Sequence, residues 1–145
     1  INKEKNMDQM SLIMTIVIIL LILFLFGAVS LANKKVDLSK KESIKKKLQE
    51  LEIPIQSLEA SLRRDAVIKL DNLLTKSLQY YFNNSESCGF NLKKSNKIFK
   101  RKELDDIWFA HKIRNDIVHD DYEIKSEEAL KLYNIYKFSI KKILK

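Results

Sequence analysis

The stretch AHKIRNDIVHDD, from Ala110 to Asp121, gathers the residues of this chain best suited to chemistry. Arg114, Asn115 and His119 stand close together, with His111 just ahead of them and aliphatic residues in between. A guanidinium is a permanent cation with its donors in a fixed fork, and an imidazole changes charge near neutrality. Such a set can hold an anion and move a proton. It can equally be the polar edge of a helix, with Arg114 paired to Asp116 or Asp120 and His119 bonded to a last-turn carbonyl. At about 100° per residue, Arg114 and His119 point roughly 140° apart on an ideal helix. They converge only where the helix ends or across a dimer seam.

Other chemistries find little support. Cys88 is the single cysteine, so no intrachain disulfide forms. With only His111 and His119 besides, no metal-ligand spacing is recognisable, and neither a metal nor a cofactor is expected. Gly27 and Gly89 are the only glycines, which excludes a glycine-rich phosphate loop. No Ser or Cys stands beside a base in a nucleophile pattern.

The elements that must carry the Arg-Asn-His set read as all helix, since period-2 alternation between glycine-rich turns is absent. Ile44, Leu48 and Leu51 form a thin apolar stripe on a charged helix from Lys40 to Glu52, and Pro54 ends it or begins the next. A long helix is predicted from Ser57 to about Phe82, with Leu58, Leu62, Ala66, Leu70, Leu73, Leu74, Leu78 and Tyr81 as its apolar stripe. Asn83 to Gly89 is a loop, and Asn91 is expected to cap a short helix reaching Phe99. The motif helix is predicted over Glu103 to His119. Leu104, Ile107, Trp108, His111 and Val118 share its core-facing side, while Phe109, Ile113 and Ile117 cover another. Asp120 to Lys125 breaks the chain. Ser126 is expected to cap a last helix buried through Ala129, Leu132, Tyr133, Tyr136, Ile140 and Ile143. The expected fold class is all-α: an N-terminal transmembrane helix followed by an up-down bundle of about four helices.

The 145 residues have room for one domain besides the apolar run from Leu12 to Ala32, which holds no charge. At ~1.5 Å per residue that run spans roughly 30 Å, the hydrocarbon thickness of a bilayer. Ser30-Leu31-Ala32 has small residues at cleavage-site spacing, the export reading. The length of the run and its flanks favour an uncleaved anchor. Before it, Lys3 and Lys5 offset Glu4 and Asp8. After it, Lys34, Lys35, Lys40, Lys41, Lys45, Lys46 and Lys47 face only Asp37 and Glu42. The positive-inside rule then places the C-terminal side in the cytoplasm, on the inner (cytoplasmic) membrane. The chain opens on Ile1, so the natural start is expected at Met7 or upstream; a start at Met7 removes the lysines ahead of the run and strengthens the anchor reading. The organisation read from this is a tail over 1–11, the span over 12–32, a basic linker helix over 33–56 and a helical domain over 57–145.

The net charge of +8 lies wholly beyond the span. The Lys34 to Lys47 run suits anionic headgroups. The second run, KKSNKIFKRK, carries Lys93, Lys94, Lys97, Lys100, Arg101 and Lys102 just ahead of the motif. It reads either as a solvated helix face or as a surface for a polyanion such as RNA.

RNDIVH, Arg114 to His119, resembles the R-N-x-x-x-H form of the HEPN superfamily motif. RRDAVIKLDNLLTKSLQYY resembles the long first helix of HEPN domains, and WFAHKIRNDIVHDDYEIKSEEALKLYNIY is similar to the motif region of small bacterial members. The resemblance covers roughly Ser57 to Lys145. It implies a small helical bundle, a homodimer and metal-independent RNA cleavage, in which the 2′-OH attacks the adjacent phosphate to leave a cyclic phosphate and a 5′-OH. By that resemblance His119 shuttles the proton, Arg114 steadies the phosphorane and Asn115 orients the pair or binds a phosphate oxygen. His111 and Trp108 are expected in the core. A defensive or toxin-like role, with an antitoxin or regulatory partner, is the corresponding expectation. The membrane anchor departs from the many HEPN ribonucleases that stand alone or beside a nucleotidyltransferase. The competing reading, of a different class, is a non-catalytic HEPN-like module that binds RNA or a nucleotide, or dimerises, as a membrane adaptor.

Overall fold

The structure is a computed structural model that describes residues 2–120 and 122–145. Among the described residues five α-helices follow one another: α1 (Asn2–Glu50), α2 (Ala60–Phe82), α3 (Cys88–Lys93), α4 (Arg101–His119) and α5 (Ser126–Ile143). Short 3-10 turns lie at Pro54–Gln56 and Ser95–Lys97, and no strand occurs among the described residues. The chain divides into two compact units, residues 1–40 and 41–145.

The first unit is the N-terminal part of α1. Its apolar side chains from Leu12 to Leu31 are all exposed. One helix of this chain is therefore apolar and long enough to cross a membrane. The expected tail at 1–11 and linker at 33–56 are not separate elements. Apart from Gly27, no helix breaker occurs from Asn2 to Ile53, and Pro54 is the first residue that cannot donate to the helical ladder.

The second unit starts at Lys41 rather than Ser57. Ile44, Leu48 and Leu51 are buried, so the end of α1 is part of this unit's core. Lys41 Nζ lies over the Tyr80 ring, and Lys137 Nζ of α5 reaches Glu52 at 3.6 Å.

The central helix α2 begins three residues later than predicted. Leu58 is 95% exposed because it precedes the helix, and Leu62 and Tyr81 also face outward. The buried positions are Arg63, Ala66, Val67, Leu70, Asp71, Leu73, Leu74, Ser77 and Leu78. Arg63 is buried because carbonyls surround it: Nη1 donates to Ser57 and Leu58 at 2.8 Å each, while Nε and Nη2 donate to Ile124 at 3.2 and 3.0 Å. Asn83 closes α2 in the left-handed region, at φ 48°, which Asn tolerates better than most residues.

Ser87, not Asn91, caps α3, its hydroxyl accepting the Phe90 N–H at 3.3 Å. Asn91 is buried inside α3 and exchanges two carboxamide hydrogen bonds with Asn84, at 2.9 and 3.0 Å. The helix expected to reach Phe99 stops at Lys93 and gives way to the 3-10 turn. Helix α5 starts at Ser126 with Lys125 as its flanking residue, so Ser126 is the first helical residue rather than the cap. Its buried stripe is the predicted one, Ala129, Leu132, Tyr133, Tyr136, Ile140 and Ile143, with Ser139 added. Of the expected break from Asp120 to Lys125, Asp121 lies outside the described residues.

Candidate functional site

Helix α4 buries Ile107, Ala110, Ile113 and Ile117. Leu104, Trp108 and His111 are half-buried beside them. Val118, expected in the core, is 45% exposed, and Phe109 is exposed too. Ile113 and Ile117, expected on a second side, belong to the core face, since steps of three and four residues from Ile107 and Ala110 lead to them.

That geometry turns His111 and Arg114, three residues apart and so neighbours on the helix, towards Asp71 in the middle of α2. Asp71 is buried. Its Oδ1 lies 2.8 Å from His111 Nδ1 and accepts the Tyr136 hydroxyl at 3.1 Å. Arg114 Nε stands 3.6 Å from Asp71 Oδ2, an ion pair too long for a hydrogen bond, and this buried Nε has no hydrogen-bond partner. Arg114 Nη1 donates to Asn115 Oδ1 at 2.9 Å. The Arg114 side chain keeps 25% of its exposure and His111 keeps 15%, so both reach from the core to the surface.

Cys88, at the start of α3, completes the group. Asp71, Cys88 and His111 each bring a ligand-type atom within 4.8 Å of the other two. Burial pushes the Cys88 thiol up to about 12, helped by the Asp71 charge and opposed by a hydrogen bond from Thr75 and by Arg114. The Tyr136 hydroxyl is likewise held well above its usual range by burial and then by Asp71. Both groups are therefore neutral at physiological pH, and Asp71 has neutral donors and one cation around it.

His119 ends α4, exposed to solvent, and no hydrogen bond or ion pair among the described residues joins it to Arg114. Nor does it cap the helix. The Ile117 carbonyl accepts from Arg64 Nη2 of α2 at 3.0 Å instead. Arg114 likewise turns to Asp71, not to its neighbours Asp116 or Asp120, because the buried Asp71 carboxylate is the less solvated partner. Asn115 is half-buried beside Arg114.

The basic run keeps Lys93, Lys94, Lys97, Lys100, Arg101 and Lys102 all exposed, while Ser95 and Phe99 between them are buried. Lys94 Nζ sits 4.1 Å from the centre of the Phe90 ring. Helix α4 is anchored where this run meets it: Glu103 accepts the Lys100 backbone N–H at 2.7 Å and Lys142 Nζ at 2.6 Å. The Lys142 hydrogen bond, then the Lys100 one, holds the Glu103 carboxyl below its usual range.

Asp71, Tyr136 and Cys88 were missed in the sequence because each lies on a different helix from the motif. One signal was present. An Asp standing among Leu70, Leu73 and Leu74 on an apolar stripe must find buried donors. No family model matches this chain, and neither a curated protein nor a solved structure matches it.

Proposed function

We propose that this protein is a membrane-anchored, HEPN-like, metal-independent endoribonuclease. One observation carries the reading: Arg114 is held from behind and open in front. Asp71 and Asn115 fix its guanidinium, while Nη2 makes no hydrogen bond among the described residues and the side chain reaches solvent. A structural Arg in this fold looks different. Arg63 spends every donor nitrogen on carbonyls and is buried.

In this reading Arg114 steadies the negative charge that builds on the phosphate as the RNA 2′-OH attacks it. His119 takes the 2′-OH proton, and the 5′-oxygen leaves with a proton drawn from solvent as the P–O5′ bond breaks, giving a 2′,3′-cyclic phosphate and a 5′-OH. Asn115 orients Arg114. Lys93, Lys94, Lys97, Lys100, Arg101 and Lys102 supply an exposed cationic path for the backbone. The exposed Phe109 and Val118 on α4 support a homodimer in which two copies share one cleft. The apolar helix and its lysine flank support a cytoplasmic-membrane protein with the bundle inside the cell. A toxin-like or defensive role, held in check by an antitoxin-type partner, fits such an activity.

The position of His119 favours a second reading. It is exposed and makes no hydrogen bond or ion pair to Arg114 among the described residues, as in a non-catalytic HEPN-like module that binds RNA or a nucleotide as a membrane adaptor. One experiment separates the two. The full chain in detergent, with EDTA present, is expected to cut RNA to cyclic-phosphate ends. His119→Ala should abolish the cutting and leave the melting temperature unchanged. Wild-type cutting by that variant overturns the role given to His119, and RNA binding without cutting supports the module.

A further inference from the structure

We propose that Asp71, Cys88 and His111 form a binding site for a divalent transition ion of the zinc type. Helices α2, α3 and α4 each contribute one ligand, and the three ligand atoms lie within 4.8 Å of one another. In a four-coordinate zinc site, with bonds of about 2.0–2.3 Å, neighbouring ligand atoms stand roughly 3.3–3.8 Å apart. The observed spacings bracket that range: His111 Nδ1 and Asp71 Oδ1 are at 2.8 Å, and no pair exceeds 4.8 Å. Small rotations of three side chains therefore make room for an ion between them.

The donor set selects the ion. One sulfur, one imidazole nitrogen and one carboxylate oxygen suit zinc and its soft-to-borderline neighbours. Magnesium and calcium ask for several oxygen ligands, and only one carboxylate is present. Charge closes as well. The Asp71 carboxylate and a Cys88 thiolate together neutralise a dication, the thiol proton passing to solvent as the ion binds.

The partners that orient metal ligands are already in place. Tyr136 donates to Asp71 Oδ1 at 3.1 Å, and Arg114 Nε faces Oδ2 at 3.6 Å. Thr75, whose hydroxyl donates to the Asp71 carbonyl at 2.9 Å, ties the ligand-bearing turn of α2 to itself. Such outer contacts fix ligand rotamers and tune affinity. They also explain an oddity of the site. The buried Arg114 Nε is left without a hydrogen bond, which is costly, because the Asp71 Oδ2 that faces it stands 3.6 Å away while His111 and Tyr136 hold Oδ1. When the ion draws Oδ1 away from His111, Asp71 turns on its own axis and Oδ2 is free to close on that nitrogen. His111 keeps a solvent-facing edge, which gives the ion its entry and leaves a fourth position for water.

The test uses the full chain in nonionic detergent, stripped with a chelator, dialysed and titrated with Co2+. The expected result is one ion per chain, with the visible bands of a tetrahedral cobalt centre and a near-ultraviolet thiolate-to-cobalt band, all removed by Zn2+. Cys88 is the single cysteine of the sequence, so the thiolate band identifies the ligand without any variant. Cys88→Ala should lose that band and bind Co2+ at least tenfold more weakly, and His111→Ala should lose the tetrahedral bands. A stripped wild-type chain that shows no thiolate band on saturation with Co2+ overturns the site, as does equal Co2+ affinity in Cys88→Ala. RNA takes no part in this measurement and EDTA is present in the cleavage assay, so failure of either result leaves the other standing.

Discussion

At the scale of single residues, Asp71 sets the character of the site. A carboxylate taken from water into an apolar bundle is tolerated only when donors replace its hydration. His111 and Tyr136 supply hydrogen bonds, and Arg114 adds a longer ion pair at 3.6 Å. Asp71→Ala is therefore expected to lower unfolding stability by about 3–5 kcal/mol, because it leaves a cation and two polar groups unpaired inside. Asp116→Ala, at a half-buried position away from that cluster, should stay within about 0.5 kcal/mol. Denaturant unfolding of the detergent-solubilised chain measures both. Equal losses would show that Asp71 is not the hub. Cys88 gives a second expectation. With its thiol near 12, the metal-free folded chain should react with alkylating reagents at pH 8 far more slowly than a free cysteine, and unfolding should restore the reactivity. The sign for stability follows from the same shift. A raised acid pKa favours the folded state fully below the unfolded value of about 8.5, and the gain is lost as pH climbs from there towards 12.

At the scale of the helices, the sequence was most legible where periodicity was strong. The α5 stripe was read in full, and α4 was placed within two residues at its start and to the residue at its end. Errors arose where a local rule met a tertiary demand. Arg63 is buried on α2 where the expected stripe has its neighbour Leu62, because Arg63 satisfies the carbonyls of two loops. Ser87 took the cap that Asn91 could have made, which freed Asn91 to lock onto Asn84. The all-helical class was open to inspection, whereas Asp71, Cys88 and Tyr136 were hidden because only packing brings α2, α3, α4 and α5 together. The end of α1 was undervalued for the same reason, since its thin stripe becomes core only in contact with the bundle. A pair of variants checks this. Leu48→Ala should cost about 2–4 kcal/mol as a buried large-to-small change, and Leu62→Ala, on the exposed side of α2, less than about 1 kcal/mol. Similar costs for the two would return Lys40 to Glu52 to the status of a linker.

At the scale of the whole molecule, charge and apolar surface are sorted along the chain rather than mixed. Residues Leu12 to Leu31 expose side chains that water disfavours, and the lysines from Lys34 to Lys47 follow at once. In the proposed anchored state lipid would remove the first cost, and the retention of positive charge on the cytoplasmic side of a membrane would give the second a direction. The expected orientation has the chain from Asn33 onward inside the cell, the side on which RNA is found. Single cysteines introduced at exposed positions between Asn33 and Lys47, in intact cells, read this out with a membrane-impermeant thiol reagent. The native background is low, because Cys88 is buried and its thiol un-ionised. Labelling should require permeabilised cells. A cysteine placed ahead of the apolar run should show the opposite pattern, reacting from outside. If the Lys-rich side reacts in intact cells, the bundle faces away from cellular RNA. The orientation and the ribonuclease reading then fall together, while the metal site, which asks only for the folded chain, does not.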